Sequence, residues 1–367
     1  MSVFIILVDI LTICMSDKTT VLIAGVGGGG HGMELLKAFK MAAHDYKIVA
    51  TDMWKNSFGL FETPYRYVIP PATAENYLDV LLDICQKEDV QAVVTGSEPE
   101  LKKVSKNIHR FEDKGIKVLV NQFDIIEKCT DKYFLSKFLN DNGLTSTEFY
   151  LYQNEQDLKN LKTFPVIIKP RVGGGSQYVF IAQDVSEADF FCKYLIKYGY
   201  EPLIQEYLED FTEEYTVGVL YADKGKLETS IALKRMLGSG LSTKQSMIFK
   251  NKKFVISSGI SQGIVEDFTE VRKVAINIAK LLGTNGPINI QCRKQGNEII
   301  PFEINPRFSG TVGPRALVGL NEPDIFCRYR LFGEVPAKQK YNFGYVVRSL
   351  QEKYISLDDA DRITQYD

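Results

Sequence analysis

The spacing of apolar runs changes about a third of the way along the chain, and this change restricts the possible folds more than any other feature. In the first third, short apolar runs at residues 20–24 and 47–51 alternate with helical stretches such as residues 77–85. Alternating strands and helices are typical of a parallel, doubly wound sheet. We therefore predict an N-terminal α/β domain over residues 17–120.

Beyond this point the predicted strands follow one another closely. A helix is expected over residues 130–142, with Gly143 as its stop, and a second one over residues 270–282. This spacing favours an α+β domain with antiparallel sheet over residues 121–335, followed by a C-terminal segment at residues 336–367. The strands of this domain are expected at residues 166–169, 178–182, 203–205, 215–221, 227–233, 288–293 and 298–304.

Residues 1–16 form an apolar N-terminal extension that we place outside both domains. The apolar run at residues 3–14 is interrupted by Asp9 and is too short to span a bilayer. It also lacks the basic start and the small-residue cleavage site of a secretory signal. We interpret Met15 as the true start, with a dispensable extension or an anchor as alternatives. Whether residues 1–14 belong to the mature protein stays open.

Charge and cysteine content exclude several classes of partner. The formal net charge of −2 provides no basic field for nucleic acid or for an anionic membrane. The six cysteines form no Cys-x-x-Cys pair and the chain has only three histidines, so a zinc site is not expected. We expect buried, reduced thiols in a cytoplasmic protein with small-molecule partners, and a homodimer as the default oligomer.

Two glycine clusters follow predicted strands, and the first of them has two interpretations. Residues 25–30 fit the G-x-G-x-x-G fingerprint of a Rossmann-like domain, and Asp52 ends the next strand near the spacing of a dinucleotide site. One interpretation is nicotinamide binding. The other is a turn whose backbone N–H groups approach an anionic substrate, with Gly27, Gly28 and Asp52 lining the substrate pocket. We favour the second interpretation.

The second glycine cluster follows a strand that carries a lysine among apolar residues. Lys169 lies near the end of this strand, and the hairpin residues Gly173, Gly174, Gly175 and Ser176 follow it. A flexible glycine hairpin can fold over a triphosphate and present backbone N–H groups to its oxygens. No Gly-Lys-Ser/Thr sequence follows, so this is not a Walker A loop. The alternative is an ordinary hairpin with an exposed lysine head.

A hairpin predicted near residue 300 collects polar side chains on one face. If the apolar residues of both strands face the core, a three-residue loop at residues 295–297 gives the required register. The opposite face then carries one carboxylate and several amides, which suit Mg²⁺ with phosphate oxygens and water. An ordinary polar face is the alternative, but it does not explain why Arg307 follows at once. The predicted polar set is Asn289, Gln291, Glu303 and Asn305.

These motifs occur in the order in which ATP-grasp enzymes carry them. The lysine strand with its glycine hairpin, the run QEYL at residues 205–208 and the run EINPR at residues 303–307 carry the resemblance. The chain resembles the synthetase halves of the large subunit of carbamoyl phosphate synthetase, and also biotin carboxylase. The resemblance covers residues 121–333 well and the preceding domain more loosely. It implies an ATP-grasp domain in the second part of the chain.

The resemblance implies roles for the residues that match the family's motifs. Lys132 and Lys169 resemble the basic residues that reach the nucleotide phosphates, and Arg307 resembles the arginine that neutralises the transferred phosphoryl. Glu214 resembles a carboxylate that binds ribose hydroxyls, with Glu213 as the register alternative. The adenine-binding stretch is matched by Glu206, Tyr207 and Leu208, and the metal ligands by Gln291, Glu303 and Asn305.

The implied activity is ADP-forming ligation of a small-molecule carboxylate to an amine, with ATP and Mg²⁺ (or Mn²⁺) as cofactors. ATP would phosphorylate the carboxylate, and the amine would attack the acyl phosphate. Lys234, Arg235 and Arg315 are candidates for binding the substrate carboxylate. A single grasp unit without a glutaminase domain argues against carbamoyl phosphate synthesis. An NAD-dependent oxidoreductase and a non-catalytic ATP-binding regulatory protein are the alternatives.

Overall fold

The structure, a computed structural model, describes residues 18–27, 30–145, 147–174, 177–209, 213–238, 241–249, 252–337 and 340–366. The predicted extension at residues 1–16 lies outside the described residues. So do three predicted site residues, Gly28, Gly175 and Ser176.

A six-stranded parallel sheet forms the centre of the first domain. Its strands are β1 (Thr19–Ala24), β2 (Tyr46–Asp52), β3 (Tyr65–Val68), β4 (Ala92–Thr95), β5 (Lys117–Val118) and β18 (Thr364–Gln365), in the order β18-β3-β2-β1-β4-β5. The helices of this part are α1 (His31–Lys40), α2 (Tyr77–Lys87), α3 (Glu98–Lys106), α4 (Ile108–Glu112) and α5 (Phe123–Thr130), with a 3₁₀ turn at Phe58–Glu62. The predicted doubly wound parallel sheet is confirmed.

Alternating side chains of β1 pack into two hydrophobic clusters, one on each face of this sheet. Val21 and Ile23 pack with residues of α1. Leu22 and Ala24 pack with residues of α2. Every residue of β1 is buried, because the strand lies between β2 and β4 and is covered on both faces. Since parallel strands end at the same edge, the turns after β1, β2 and β4 lie together there.

A second six-stranded sheet, antiparallel throughout, dominates the rest of the chain. Its strands are β10 (Glu213–Ala222), β11 (Leu227–Arg235), β14 (Gly263–Val265), β15 (Gly286–Gln295), β16 (Glu298–Asn305) and β17 (Gly344–Val346), in the order β16-β15-β10-β11-β14-β17. Helix α8 (Thr269–Leu282) packs its apolar side into the core of this sheet. It ends at Gly283, whose φ of 68° suits a helix stop.

A four-stranded antiparallel sheet and a two-stranded hairpin complete the second part. The sheet contains β6 (Phe149–Leu151), β7 (Val166–Pro170), β8 (Phe180–Ala182) and β9 (Pro202–Glu206) in the order β6-β9-β7-β8, and the hairpin consists of β12 (Thr243–Phe249) and β13 (Lys252–Ser257). The remaining helices are α6 (Lys132–Asp141), α7 (Val185–Lys197), α9 (Val312–Leu317), α10 (Glu322–Phe332) and α11 (Leu357–Asp361), with 3₁₀ turns at Glu155–Asn160 and Asp223–Gly225. The predicted α+β architecture is confirmed.

The hairpin of β15 and β16 differs from its predicted form in a detail that affects the site. Gln295 pairs with Glu298, so the connecting loop has two residues, where the prediction has three. A bulge beside Gln291 then shifts the register by one residue, which returns both apolar sets to the same face. Gln291 therefore lies directly opposite Glu303. The register of the predicted three-residue loop places Gln291 diagonally across from Glu303, and this prediction is wrong.

Two features of this fold are absent from the sequence-based prediction. One is the hairpin of β12 and β13, and the other is the contribution of the C-terminal segment to both large sheets. This segment adds β17 to the antiparallel sheet and β18 to the parallel sheet, so it joins the two parts of the chain. The domain boundaries at residues 120 and 335 stay a prediction.

In the described ranges, no helix combines the length and the apolarity that crossing a membrane requires. The described cysteines are buried and unpaired, as the sequence predicts. Burial raises the pKa of Cys85 to about 12, so its thiol stays protonated at neutral pH.

Candidate functional site

A cavity of about 400 Å³ brings most of the predicted site residues together. It lies where β7 and β9 approach the end of β16 and the first turns of α3 and α6. Its walls combine cationic side chains, three carboxylates and a glycine hairpin with an apolar region. The predicted residues that line it are Lys132, Lys169, Gly173, Gly174, Glu206, Tyr207, Leu208, Glu303, Asn305 and Arg307.

Lys169 reaches the cavity because of its place in β7. Every second residue of this strand is buried in the core, so Lys169 lies on the side that lines the cavity. Its ammonium donates a 2.6 Å hydrogen bond to Oε1 of Gln205 on β9. Burial and the neighbouring charge of Lys132 lower the pKa of Lys169 to about 8, against the opposite effect of Glu303. An anionic ligand here would stabilise the ammonium.

Lys132 opens α6, and a network around Asp131 fixes its position. The carboxylate of Asp131 caps the helix by accepting hydrogen bonds from two backbone N–H groups of the first turn. The same carboxylate forms an ion pair with Arg171, which follows β7. Lys132 donates from Nζ to the carbonyl oxygen of Gly173 in the glycine hairpin. The two lysines and the hairpin therefore form one cationic wall of the cavity.

The run that the prediction assigns to adenine begins at the end of β9. The hydroxyl of Tyr207 accepts a hydrogen bond from the backbone N–H of Val255 on β13 and donates one to its carbonyl oxygen. The carbonyl oxygen of Leu208 accepts a 3.1 Å hydrogen bond from Arg293 on β15. This run therefore links β9 to β13 and β15 along the cavity. Its role in holding adenine, with Glu206, stays a prediction.

Glu303 is the centre of the polar face of β15 and β16. Its carboxylate accepts a 2.9 Å hydrogen bond from Nε2 of Gln291 and a 3.0 Å bond from Nδ2 of Asn305. One carboxylate with a neighbouring amide fits the oxygen donors that Mg²⁺ binds beside phosphate groups. Gln291 fits this role less well, because its Oε1 already accepts a 2.9 Å hydrogen bond from Arg235. The three metal-ligand assignments stay predictions.

Arg307 lies at the junction between the two parts of the chain. Its NH2 group is 3.3 Å from Oε1 of Glu98, the first residue of α3, and 3.3 Å from Oδ1 of Asn305. Burial lowers the pKa of Arg307, and the charges of Glu98 and Glu303 partly offset this effect. Burial and the charge of Arg307 also lower the pKa of His31, the first residue of α1. Arg307 thus connects the cavity to the first glycine turn.

Glu214, predicted to bind ribose, lies in a buried ion-pair triad and not on the wall of this cavity. Its carboxylate oxygens are 3.1 Å from NH1 of Arg235 and 3.0 Å from Nε of Arg293. The two guanidiniums also donate to backbone carbonyl oxygens, including those of Val255 and Ser258. The triad therefore ties β10, β11 and β15 to the region of β13. Glu214 lines the second cavity, described next, and its contact with ribose stays a prediction.

Lys234 and Arg235 line a second cavity, of about 590 Å³, which shares Tyr207 with the first. The ammonium of Lys234 is 3.0 Å from Oε1 of Glu213, the register alternative to Glu214. Arg235 is part of the buried triad. Both cations therefore have carboxylate partners already, and their contact with a substrate carboxylate stays a prediction.

The structure does not bring Arg315 to either cavity. Its side chain is completely buried, and its NH1 group is 3.1 Å from Oε2 of Glu322. Its NH2 group donates a 2.9 Å hydrogen bond to Oδ1 of Asn289 on β15. Gly218 on β10 leaves room for this guanidinium, because a Cβ there would lie 2.1 Å from NH1. In this structure Arg315 fixes α9 against the sheet and has no surface open to a substrate.

The first glycine turn lies at the carboxyl edge of the parallel sheet, directly after β1. Gly25 has a φ of 82°, a conformation that glycine adopts without strain. A Cβ on Gly27 would lie 3.4 Å from Oδ2 of Asp52, so the two predicted residues are neighbours. Asp52 is buried and accepts a hydrogen bond from the backbone N–H of Trp54. Their contact with a substrate stays a prediction.

Three residues of the site are absent from the sequence-based prediction. Arg293 shares the polar side of β15 with Gln291, and Gln205 directly precedes the run assigned to adenine, so both carry a signal in the sequence. Glu98 carries none. It comes from the first domain, and no pattern in the sequence relates it to Arg307.

Two family models match parts of the chain. Residues 21–119 match a family model described as the PylC-like N-terminal domain, and residues 200–353 match one described as ATP-grasp in the biosynthetic pathway with Ter operon. The carbamoyl phosphate synthase large chain of Thermotoga sp. (strain RQ2) is 23% identical over 343 residues. This alignment covers 86% of the chain and 30% of that protein, so the chain spans less than a third of this relative's length.

Solved structures have the same fold. Biotin carboxylase from Campylobacter jejuni superposes with a TM-score of 0.64 at 16% identity, covering 88% of this chain and 74% of that one. An L-amino acid ligase from Bacillus licheniformis gives a TM-score of 0.61 at 16% identity, covering 86% and 74%. The chain therefore has an ATP-grasp fold preceded by a parallel α/β domain. The predicted resemblance to ATP-grasp proteins is confirmed.

Proposed function

We propose that the protein is an enzyme that uses Mg·ATP to ligate a small-molecule carboxylate to an amine, with release of ADP and phosphate. The observation that carries this proposal is that two lysines, a glycine hairpin, the Glu303–Asn305 pair and an arginine line the same cavity of about 400 Å³. Separate segments of the chain supply these groups, and together they meet the needs of an oriented triphosphate. The similarity to an L-amino acid ligase supports the ligase activity.

The chain's own side chains match the requirements of phosphoryl transfer. Lys132 and Lys169 supply positive charge beneath the glycine hairpin, and phosphate oxygens would hold Lys169 in its protonated form. Mg²⁺, bound by Glu303 and Asn305, would neutralise charge on the phosphate oxygens. Arg307 is a permanently charged donor next to this pair, where it can stabilise the transferred phosphoryl.

Phosphorylation is needed because a bare carboxylate is a poor electrophile. Transfer of the γ-phosphoryl group of ATP to a carboxylate oxygen gives an acyl phosphate and ADP. The amine nitrogen then bonds to the acyl carbon, and the C–O bond to phosphate breaks with its electron pair. The protein contributes positioning and stabilisation of charge to both steps.

The organic substrates are proposed to bind at the first glycine turn, beside Gly27 and Asp52. This turn follows β1 at the edge of the parallel sheet where the ligands of open α/β sheets collect. It is close to the end of the cavity that Arg307 lines, which we call the phosphoryl end. His31 follows the turn, and the charge of Arg307 lowers the pKa of His31. The proposed state of the protein is a cytoplasmic homodimer.

Substrate-dependent ADP release tests this proposal. The protein is incubated with Mg·ATP and with pairs drawn from L-amino acids and small organic acids, while ADP and phosphate are measured. We expect release to rise when both an acid and an amine are present, and hydroxylamine to trap a hydroxamate in place of the amine. Products of AMP and pyrophosphate would indicate adenylation. ATP binding without turnover for any pair would favour a regulatory protein.

A further inference from the structure

A carboxylate from the first domain reaches the phosphoryl end of the cavity, and the function proposed above gives it no role. It belongs to Glu98, the first residue of α3, which follows β4 by way of Gly96 and Ser97. Oε1 of Glu98 is 3.3 Å from NH2 of Arg307. The Glu98 side chain is 39% exposed, against 12% for Arg307, and Glu98 lines the cavity, so a ligand there can reach it.

The surroundings of Glu98 place it between the glycine hairpin and the first glycine turn. A Cβ on Gly174 of the hairpin would lie 2.3 Å from Oε2 of Glu98, so the carboxylate packs directly on the hairpin backbone. The charge of Glu98 also counteracts the lowering of the Lys132 pKa by burial. On the other side, a Cβ on Gly96 would lie 2.1 Å from the carbonyl oxygen of Gly25. Glu98 therefore lies where the nucleotide cavity and the proposed substrate pocket meet.

A carboxylate at this point opposes the binding of another anion and favours the binding of a cation. Arg307 suits the transferred phosphoryl, which is negative. The carboxylate substrate is negative as well. Of the reactants, only the amine, an ammonium ion in neutral solution, carries a charge that suits Glu98. In the ion pair, Arg307 thus suits the negative phosphoryl group and Glu98 suits the positive ammonium of the amine.

We propose, building on the function proposed above, that Glu98 binds the incoming amine and accepts a proton from it as the amide forms. The nitrogen bonds to the acyl carbon, and the phosphate leaves with the electron pair of the C–O bond. The ammonium loses two protons, of which one moves to a carboxylate oxygen of Glu98 and the other leaves on the phosphate. Glu98 is then a catalytic residue of the coupling step and has no part in forming the acyl phosphate.

The reactions of Glu98→Gln with hydroxylamine and with the amine substrate, measured side by side, test this assignment. Hydroxylamine is uncharged at neutral pH and attacks an acyl phosphate without help from a base. The comparison uses the L-amino acid pair that gives the fastest phosphate release with the unaltered protein. We expect Glu98→Gln to lower amine-dependent turnover about 100-fold, which is typical of a lost general base. Hydroxamate formation and ATP affinity should stay close to those of the unaltered protein.

Conservative and matched variants complete the design. Glu98→Asp should restore part of the amine-dependent turnover and change the pH profile of its kcat/KM, which a purely structural carboxylate would not do. Glu75→Gln removes an exposed carboxylate elsewhere on the first domain and should leave both reactions unchanged.

Three results would overturn the assignment, and they separate it from the proposed function. An equal loss of the hydroxylamine and amine reactions would show that Glu98 supports an earlier step or the fold. If Glu98→Gln couples the amine at the normal rate and binds ATP more tightly, Glu98 only competes with the phosphates of ATP for the cationic groups of the cavity. Both results leave the proposed function standing. If the unaltered protein forms no hydroxamate with any acid, the proposed function fails, and the assignment of Glu98 fails with it.

Discussion

Asp131 and Arg171 form a two-point ion pair, with 2.9 Å between Oδ1 and Nε and 2.6 Å between Oδ2 and NH2. The pair joins the start of α6 to the segment that follows β7. Because Lys132 opens this helix and also binds the carbonyl oxygen of Gly173, the lysine and the glycine hairpin share one framework. Bidentate pairs of this kind fix geometry as well as adding energy. The lysine is therefore positioned before a nucleotide arrives.

Breaking this pair should weaken ATP binding. In Arg171→Gln the Asp131 cap of α6 remains, but the segment leading to the hairpin is released from it. We expect the dissociation constant of ATP, measured by titration calorimetry, to rise roughly tenfold, which is about 1.4 kcal/mol. Arg110→Gln, which removes a more exposed pair with Asp79, is the control and should have no effect. Unchanged ATP affinity in Arg171→Gln would show that the pair does not position the site.

Glu303→Ala should abolish Mg²⁺-dependent turnover and leave the fold intact. Glu303 is the charged member of the proposed metal-binding set, and its amide neighbours cannot replace its charge. Glu303→Gln should be nearly as harmful for the same reason. Mg²⁺ titrations of ADP release measure the effect, with circular dichroism to check the fold. Glu298→Gln, at the exposed start of the same strand, is the control. Near-normal activity in either Glu303 variant would remove the metal assignment.

The affinity for ATP should fall as the pH rises through about 8. Burial and the charge of Lys132 lower the pKa of Lys169 to about 8, and the phosphates of ATP favour its protonated form. Below this pH the lysine is already charged, so its contribution is constant. Above it, each pH unit should weaken binding up to about tenfold, because the lysine must first take up a proton.

Lys169→Arg should remove this pH step, since a guanidinium stays charged throughout the range. Calorimetric titrations of ATP on both sides of pH 8, run in parallel on the two proteins, measure the difference. An affinity of the unaltered protein that does not change with pH would mean that Lys169 does not contact the phosphates.

Glu214→Gln should lower the free energy of unfolding of the protein and have little effect on its discrimination between ATP and 3′-deoxy-ATP. The substitution leaves the guanidiniums of Arg235 and Arg293 buried without their shared carboxylate. Removing one partner of a buried pair typically costs about 3–5 kcal/mol. Urea unfolding measures this loss, and the ratio of affinities for ATP and 3′-deoxy-ATP reports on ribose contacts. A variant of normal stability that no longer distinguishes the two nucleotides would support the ribose assignment of Glu214 and contradict this prediction.

Strand periodicity explains why part of the site is predictable from the sequence. Lys169, Glu303 and Asn305 lie on strands whose alternate residues are apolar, so the pattern alone indicates that they share a side away from the core. Lys132 follows Asp131, a helix-capping residue type, and the cap fixes where the lysine starts its helix. The parallel and antiparallel sheets follow from the same periodicity, combined with the spacing of the helices.

Pairings between distant segments are not predictable in this way. The charges of Glu214 and Arg315 mark them as candidate ligands, but the partners that bury them come from other strands and helices. A bulge, not the loop length alone, sets the register that places Gln291 opposite Glu303. The contact of Glu98 with Arg307 joins two domains, and a single sequence contains no signal for it.

The first glycine turn should bind an organic substrate and not NAD. Its sequence satisfies the dinucleotide fingerprint, so this expectation opposes a recognised signal. The reason is the position of the turn: the nucleotide cavity is lined by the second glycine hairpin and the end of β16, whereas Gly27 lies beside Asp52 at the edge of the first sheet. Backbone N–H groups at a helix N-terminus favour an anionic ligand, and Asp52 provides a carboxylate for an amine or a hydroxyl.

Gly27→Val tests this expectation with little disturbance of the fold. A Cβ at this position meets Oδ2 of Asp52 at 3.4 Å, which is an ordinary van der Waals contact, and the methyl groups of valine add bulk to the turn. We expect the ATP affinity to stay unchanged and the apparent KM for the organic substrate to rise, because the valine occupies substrate space. Calorimetry with ATP and NAD, together with steady-state kinetics, measures both quantities. If NAD binds the unaltered protein at micromolar affinity and Gly27→Val abolishes this binding, the turn is a dinucleotide site and the oxidoreductase alternative revives.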